Sequence, residues 1–279
     1  MPTISRLASW VFARFNRLMG RLDGKVALVT GASAGIGAAI AWELARGGAD
    51  VAINYLTYHE EALALAERIK ELGRRVLLFQ LDVSDGDGVE QMIAKTAKEF
   101  GRLDIVVANA ANSADAFFYE ADMSDFRRVF NVTAWGAVYC FRAAGRIMVQ
   151  QGQGGNLIAI GSPHSLEALP SSMAYNMAKA ALDQMARTAA LELAPSGIRV
   201  NLIHPGWTDT PGEQVLFSDE TLARAGAALP LGRLARPEEI ARGVAFLVDP
   251  DSTYMTGSTL AIDGGYMLPW WSNRGSGEF

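Results

Sequence analysis

Val26-Ala27-Leu28-Val29 runs directly into Thr30-Gly31-Ala32-Ser33-Ala34-Gly35-Ile36-Gly37, and a helical apolar periodicity opens at Ile36 and continues to Arg46. A short, wholly apolar run predicts a buried strand, and the periodicity after it predicts a helix. The glycines between them permit a tight turn and let backbone N–H groups approach a bound group, while the helix N-terminus favours negative charge there. Taken alone, a glycine-rich turn is as consistent with an ordinary loop as with a phosphate cradle. Its place between a strand and a helix favours the cradle. Gly31, Ser33, Ala34, Gly35, Ile36 and Gly37 are therefore candidate pyrophosphate contacts.

The same alternation repeats outward from this unit. Further strands are expected at Val51 to Asn54, Val76 to Leu81, Ile105 to Ala108, Asn156 to Ile160, Arg199 to Ile203 and Thr259 to Ile262. Helices are expected at Glu60 to Leu72, Gly88 to Phe100, Met123 to Met148, Met173 to Leu193 and Glu238 to Val248. Strands that are apolar throughout and separated by helices predict a parallel sheet covered on both faces. The expected fold is thus α/β and doubly wound, one domain over residues 23–268, with seven mainly parallel strands and ligands at their carboxyl edge. With half of its 279 residues hydrophobic and 20% charged, the chain is neither disordered nor fibrous. One cysteine, Cys140, excludes an internal disulfide or a multi-cysteine zinc site and points to a reducing compartment.

The net charge of −5 hides a partition. Arg6, Arg14, Arg17 and Arg21, with no acid among them, give residues 1–22 a formal +4 and leave −9 on the remainder. An acidic body argues against nucleic-acid binding. In the extension, Ile4, Leu7, Val11, Phe15, Leu18 and Leu22 form one stripe of a basic amphipathic helix, too interrupted to span a membrane. It reads as an organelle presequence, an interfacial membrane helix, an address into a larger assembly such as a bacterial microcompartment shell, or a helix that simply packs on the protein. Residues 269–279 form a C-terminal tail. Pro269-Trp270-Trp271 offers an aromatic contact, and the segment from Ser272 onward is polar and glycine-rich.

Three residues separate the first two glycines of the turn, and in this the chain resembles the short-chain dehydrogenase/reductase family. The resemblance extends from Lys25 to Tyr266 and implies a Rossmann-type fold. Asp82-Val83 resembles the family's adenine contact, and Asn109-Ala110-Ala111 its Asn-Ala-Gly, with alanine in the third place. Pro205-Gly206 with Thr208 and Thr210 resembles the segment that passes the nicotinamide. Tyr254-Met255-Thr256-Gly257 and Asp263-Gly264-Gly265 match its C-terminal signature.

Tyr175 and Lys179 lie four apart on an expected helix and so project from one face. An ammonium beside a phenol favours phenolate and lowers its pKa from about 10, which suits a general acid/base. A surface Tyr and Lys sharing a helix face is the plain alternative for the pair alone. The resemblance adds Ser162, at the family's distance from Tyr175, to hold the substrate oxygen, and Asn131 to support a proton relay. The implied reaction is hydride transfer between a carbinol carbon and a nicotinamide, with Lys179 also holding the nicotinamide ribose and no metal. His59, His164 and His204 form no ligand motif.

At the end of the second strand, Tyr55 stands where the family usually keeps an acid for the adenosine ribose, and Leu56 where NADP users keep an arginine. Without a cation for a 2′-phosphate, NAD is favoured over NADP. His164 and the run from Pro205 to Glu213 resemble the glucose 1-dehydrogenase branch. Trp207 forms a wall of the expected pocket, and Glu167, Asp209 and Glu213 suit a polyol, a sugar or an amino alcohol. Such acids equally serve as helix caps or face water. An NADPH-dependent 3-oxoacyl reductase with an Arg127/Arg128 docking patch, and a cofactor-sensing or assembly protein, are the competing readings. The resemblance implies a homotetramer, and a cytoplasmic location is expected unless the N-terminal helix directs the chain to an organelle or a bacterial microcompartment.

Overall fold

The computed structural model describes residues 20–268, so the extension up to residue 19 and the tail from 269 lie outside the described residues. Leu22, read above as part of the amphipathic stripe, is buried in the core of the body, where it lies against Gly47. Arg21 is ion-paired to Asp249 at 2.8 Å. The body therefore takes hold of the chain at least two residues earlier than the charge partition suggests.

Seven strands form one parallel sheet: β1 (Val26–Val29), β2 (Asp50–Tyr55), β3 (Val76–Gln80), β4 (Ile105–Ala108), β5 (Gly155–Ile160), β6 (Ile198–Pro205) and β7 (Thr259–Ile262). Their order across the sheet is β3-β2-β1-β4-β5-β6-β7. The helices are α1 (Gly35–Arg46), α2 (His59–Glu71), α3 (Gly86–Phe100), α4 (Met123–Phe130), α5 (Gly136–Gln151), α6 (Met173–Leu193), α7 (Pro211–Leu216), α8 (Asp219–Ala228) and α9 (Pro237–Val248). Among the described residues no helix is long and apolar enough to cross a membrane.

The period of two along each strand divides the core. Ala27 and Val29 of β1 face Ile40 and Leu44 of α1 and Ile240 and Val244 of α9. Val26 and Leu28 face the opposite layer, with Met92 and Ile93 of α3, Phe141 and Met148 of α5 and Leu182 of α6. Burial on both faces is why β1 and β4 are apolar at every position. Chain order reverses between β1, which leads to β2 on one side, and β4 on the other, opening a crevice at their carboxyl ends.

Two local features depart from the periodicity. The expected helix Met123 to Met148 is interrupted at Asn131–Trp135 by a π-helical turn, in which Gly136 N–H bonds to Asn131 O. π turns of this kind concentrate at functional sites. Helices α7 and α8 escape the sequence reading because they are short and mostly exposed. Their caps are local: Thr210 Oγ1 accepts from Glu213 N–H at 3.3 Å and Ser218 Oγ from Thr221 N–H at 3.3 Å.

Candidate active site

The turn after β1 is built around its glycines. Gly31 and Gly35 have φ of +61° and +55°, a region L-residues with a Cβ rarely enter. A Cβ on Gly37 would fall on the carbonyl oxygen of Gly31 and come within 2.5 Å of Asn109 Nδ2. Asn109 closes the crevice from the β4 side: its Nδ2 donates to Thr30 O at 2.9 Å and Gly31 O at 3.0 Å, and Thr30 Oγ1 accepts from Asn109 N–H at 3.0 Å. The N-cap of α1, Ala34, supplies no side-chain acceptor, and the first turn holds no acid. The positive end of α1 is thus left to an anion in the crevice, which fits a dinucleotide pyrophosphate.

The crevice is about 780 Å³ and gathers most of the expected residues. Gly31 and Ser33 to Gly37 line it beside Leu56, Asp82, Val83, Asn109, Ala110, Ala111, Pro205, Gly206, Thr208 and Thr210. Ser162, His164, Tyr175, Lys179, Trp207 and Glu213 line the same space.

Four expected residues do not line the crevice. Tyr55 is turned into the core by the alternation of β2, 4% exposed, with its hydroxyl 2.7 Å from His59 Nδ1; Leu56 and Thr57 face the crevice instead. Asn131, at the start of the π turn, is exposed and does not line the crevice. Two residues on, Thr133 is buried: its Oγ1 accepts from Asn112 N–H at 3.0 Å and donates to Asn112 O at 3.1 Å. Asp209 is exposed and accepts from Gln214 Nε2 at 2.9 Å. Glu167 acts at one remove, bonded to Tyr266, which does line the crevice.

Sequence reasoning also missed contributors to the lining. Asp115, Arg128, Leu169, Ser172, Leu216, Phe217 and Tyr266 all face the crevice. They sit in loops or at helix ends, where no periodicity marks them.

The reacting groups come from two adjoining elements. Ser162 follows β5 in extended backbone, and its Oγ accepts from His164 N–H at 3.2 Å. Tyr175 and Lys179 project from successive turns of α6. The Tyr175 hydroxyl is hydrogen-bonded to Ser162, and the His164 ring meets the Tyr175 ring edge-on at 5.4 Å. Lys179 is 2% exposed and its Nζ donates to Ile160 O at 2.6 Å. Trp207 Nε1 donates to Glu213 Oε2 at 2.7 Å, fixing the loop before α7 across the mouth.

Burial sets the protonation of this pair against the simple expectation. It pushes the Tyr175 phenol up to about 12, opposed by the Ser162 bond, and Lys179 down to about 8, opposed by Asp183. The ammonium, 5.4 Å from the phenol ring centroid, does not reverse this in the protein alone. Of the two groups Lys179 loses its proton first, near pH 8. The phenolate–ammonium form belongs to the resulting one-proton state. Any reaction needing a base at Tyr175 should gain rate about tenfold per pH unit below about 8 and level off above it. The reverse reaction should be lost over the same range, and kcat/KM profiles in both directions check this.

A family model described as enoyl-(acyl carrier protein) reductase matches residues 31–267. The cis-4-hydroxycyclohexanecarboxylate dehydrogenase of Sinomonas cyclohexanicum is 40% identical, over 87% of this chain and 96% of its own. Glucose 1-dehydrogenase 2 of Bacillus subtilis is 34% identical, over 88% of this chain and 96% of its own. The crystal structure of a short-chain type dehydrogenase/reductase from Mycobacterium marinum superposes with a TM-score of 0.85 at 34% identity, over 91% of this chain and 99% of its own. Matched by the family model over residues 31–267 and by relatives at 34–40% identity over nearly all the described residues, the chain belongs to the short-chain dehydrogenase/reductase family of NAD(P)-dependent oxidoreductases.

Proposed function

We propose that the chain is an NAD-dependent dehydrogenase of a small hydrophilic secondary alcohol, a polyol, sugar or amino alcohol. The observation that carries this reading is the Ser162–Tyr175 hydrogen bond beside buried Lys179, opening into the same crevice as the Gly31–Gly37 turn. The turn would hold the pyrophosphate, Asp82 and Val83 the adenine, and Lys179 the nicotinamide ribose. Bound there, NAD supplies the hydride acceptor.

The chain's own part is positioning and proton handling. Ser162 Oγ, already oriented by His164 N–H and Tyr175, donates to the substrate oxygen. Tyr175 Oη removes the hydroxyl proton in oxidation and returns one in reduction. Lys179 keeps a positive charge beside the developing phenolate, and its bond to Ile160 O fixes the ammonium's place. Trp207 and Phe217, 5.6 Å apart and edge to face, wall off water at the substrate end. Glu213 and Asp115 give that end acceptors for hydroxyl or ammonium groups.

The absence of a cation at the β2 end supports NAD over NADP. Among the described residues lining the crevice the arginine and lysine side chains are Arg128, on α4, and Lys179, on α6. Neither belongs to the Asn54-Leu56-Thr57-Tyr58 rim where a 2′-phosphate would lie. An uncompensated dianion disfavours NADP, so kcat/KM with NAD is expected to exceed that with NADP by at least about tenfold. Steady-state rates with each cofactor test this, and a preference for NADP would return the 3-oxoacyl reductase reading.

A homotetramer is part of the same proposal. Met123, Trp135 and Val149 on the α4–α5 face and Met177 and Leu191 on α6 leave large apolar side chains exposed on helices whose other faces pack on the sheet. Light scattering is expected to give four times the chain mass of 30.0 kDa; a monomer would reject it.

A further inference from the structure

Behind the reacting groups, α6 carries one more buried ionisable side chain on the face that presents Tyr175 and Lys179. Asp183, one turn beyond Lys179, is 2% exposed. Its carboxylate meets His204 of β6, Nε2 to Oδ2 at 2.9 Å, and Ser165 of the turn after β5, Oγ to Oδ2 at 2.8 Å. Ser165 Oγ also lies 2.9 Å from the carbonyl oxygen of Ser162, so the cluster touches the residue that holds the substrate oxygen. Gly161 passes directly over it: a Cβ there would come within 2.6 Å of His204 Cδ2 and 3.1 Å of Asp183 Oδ1. Nothing in the proton and hydride steps above uses Asp183 or His204. A buried carboxylate with this much dedicated hydrogen bonding is costly to keep unless it does something.

We propose that Asp183 is a positioning residue for the dehydrogenase reaction. Its carboxylate holds Lys179 in the ammonium form and, through Ser165, fixes the turn that presents Ser162 and His164.

The charge environment favours this role. Lys179 Nζ lies 5.4 Å from the Tyr175 ring centroid, and the charges of Lys179 and Asp183, one turn on, and of Lys179 and His164 on the turn influence one another. Asp183 is the acid that opposes the effect of burial on the ammonium, and Arg187, the next residue along the same face, lies 3.5 Å from Asp183 at the helix exterior. His204 contacts the carboxylate rather than the ammonium. Asp183 thus stands between two cations, one buried and reactive, the other 41% exposed. Withdrawing the carboxylate charge removes the influence that opposes burial at Lys179, so the one-proton state moves further toward phenol plus amine and the share of phenolate beside ammonium that serves as the base shrinks. The inference rests on the dehydrogenase reading, because it concerns the charge state that reading requires.

The test compares pH profiles of kcat/KM for alcohol oxidation in the full chain, wild type, Asp183→Asn and Arg187→Gln. For Asp183→Asn the rising limb is expected roughly one pH unit lower, with a plateau about tenfold or more below wild type, and Asp183→Glu should recover part of both. Arg187→Gln, a surface change that keeps the fold, removes the cation that offsets Asp183 and should move the limb the opposite way. If Asp183→Asn does not fold, the Arg187→Gln shift decides alone. A limb at the wild-type pH in both variants, whatever the loss of rate, would show a structural role only and overturn the proposal. Absence of turnover in the wild type would instead reject the dehydrogenase reading itself, and this inference with it.

Discussion

Replacing Tyr175 with Phe is expected to lower kcat for alcohol oxidation by roughly 10²- to 10⁴-fold, the range that a positioned general base contributes, while leaving affinity for the dinucleotide unchanged. The phenylalanine ring keeps the edge contact with His164 and the packing of α6, so only the hydroxyl and its bond to Ser162 disappear. Loss of one buried hydroxyl costs about 1 kcal/mol of stability, too little to unfold a domain of this size. The residual rate should lose the rising limb near pH 8, since the group that titrates usefully is gone. Steady-state kinetics with calorimetric NAD binding on the same preparation check both halves. A variant that keeps its rate would remove Tyr175 from the chemistry.

The second large effect is expected at Gly37→Ala. The added methyl would occupy the position of the Gly31 carbonyl oxygen and crowd Asn109 Nδ2, both backbone-anchored, so the turn has to open. A displacement of about 1 Å in a positioning element typically costs about 10²-fold, here expected in NAD affinity, with a further 1–3 kcal/mol of stability lost to overpacking. Gly73→Ala is the matched control: its φ of +75° makes it a strained site too, but nothing lies within 4 Å and it is remote from the crevice. It should lose some stability and bind NAD normally. Calorimetric titration separates the two variants, and equal binding by both would remove the turn from the cofactor site.

The parts of this protein legible from sequence are those governed by repeating geometry. Strands buried on both faces must be apolar at every position, so β1 and β4 could be placed almost to the residue. The Gly31–Gly37 turn was legible because only glycine tolerates its backbone and contacts. Tyr175 and Lys179 were legible because four residues make one helical turn. What failed had no period to read. Tyr55 was assigned to the crevice by its place in the chain, yet strand alternation turns it inward and hands the rim to Leu56 and Thr57. Asn131 was assigned by resemblance alone, and the structure places it at the start of a π turn and outside the crevice lining. Buried Thr133, two residues on, bonds to Asn112, a contact that no periodicity marks. The Asp183–His204–Ser165 cluster joins three segments distant in sequence, and only the folded sheet brings them together.

The central claim is direct hydride transfer from a carbinol carbon to a dinucleotide held in this crevice. Its most direct test is a panel of polyols, sugars and amino alcohols carrying deuterium at the carbinol carbon, incubated with the full chain and NAD. Mass spectrometry of the reduced nicotinamide is expected to show one deuterium per turnover, with ketone or lactone formed in equal amount and none of it in Tyr175→Phe. Reduced nicotinamide without deuterium, or labelled product unaffected by Tyr175→Phe, would contradict the account.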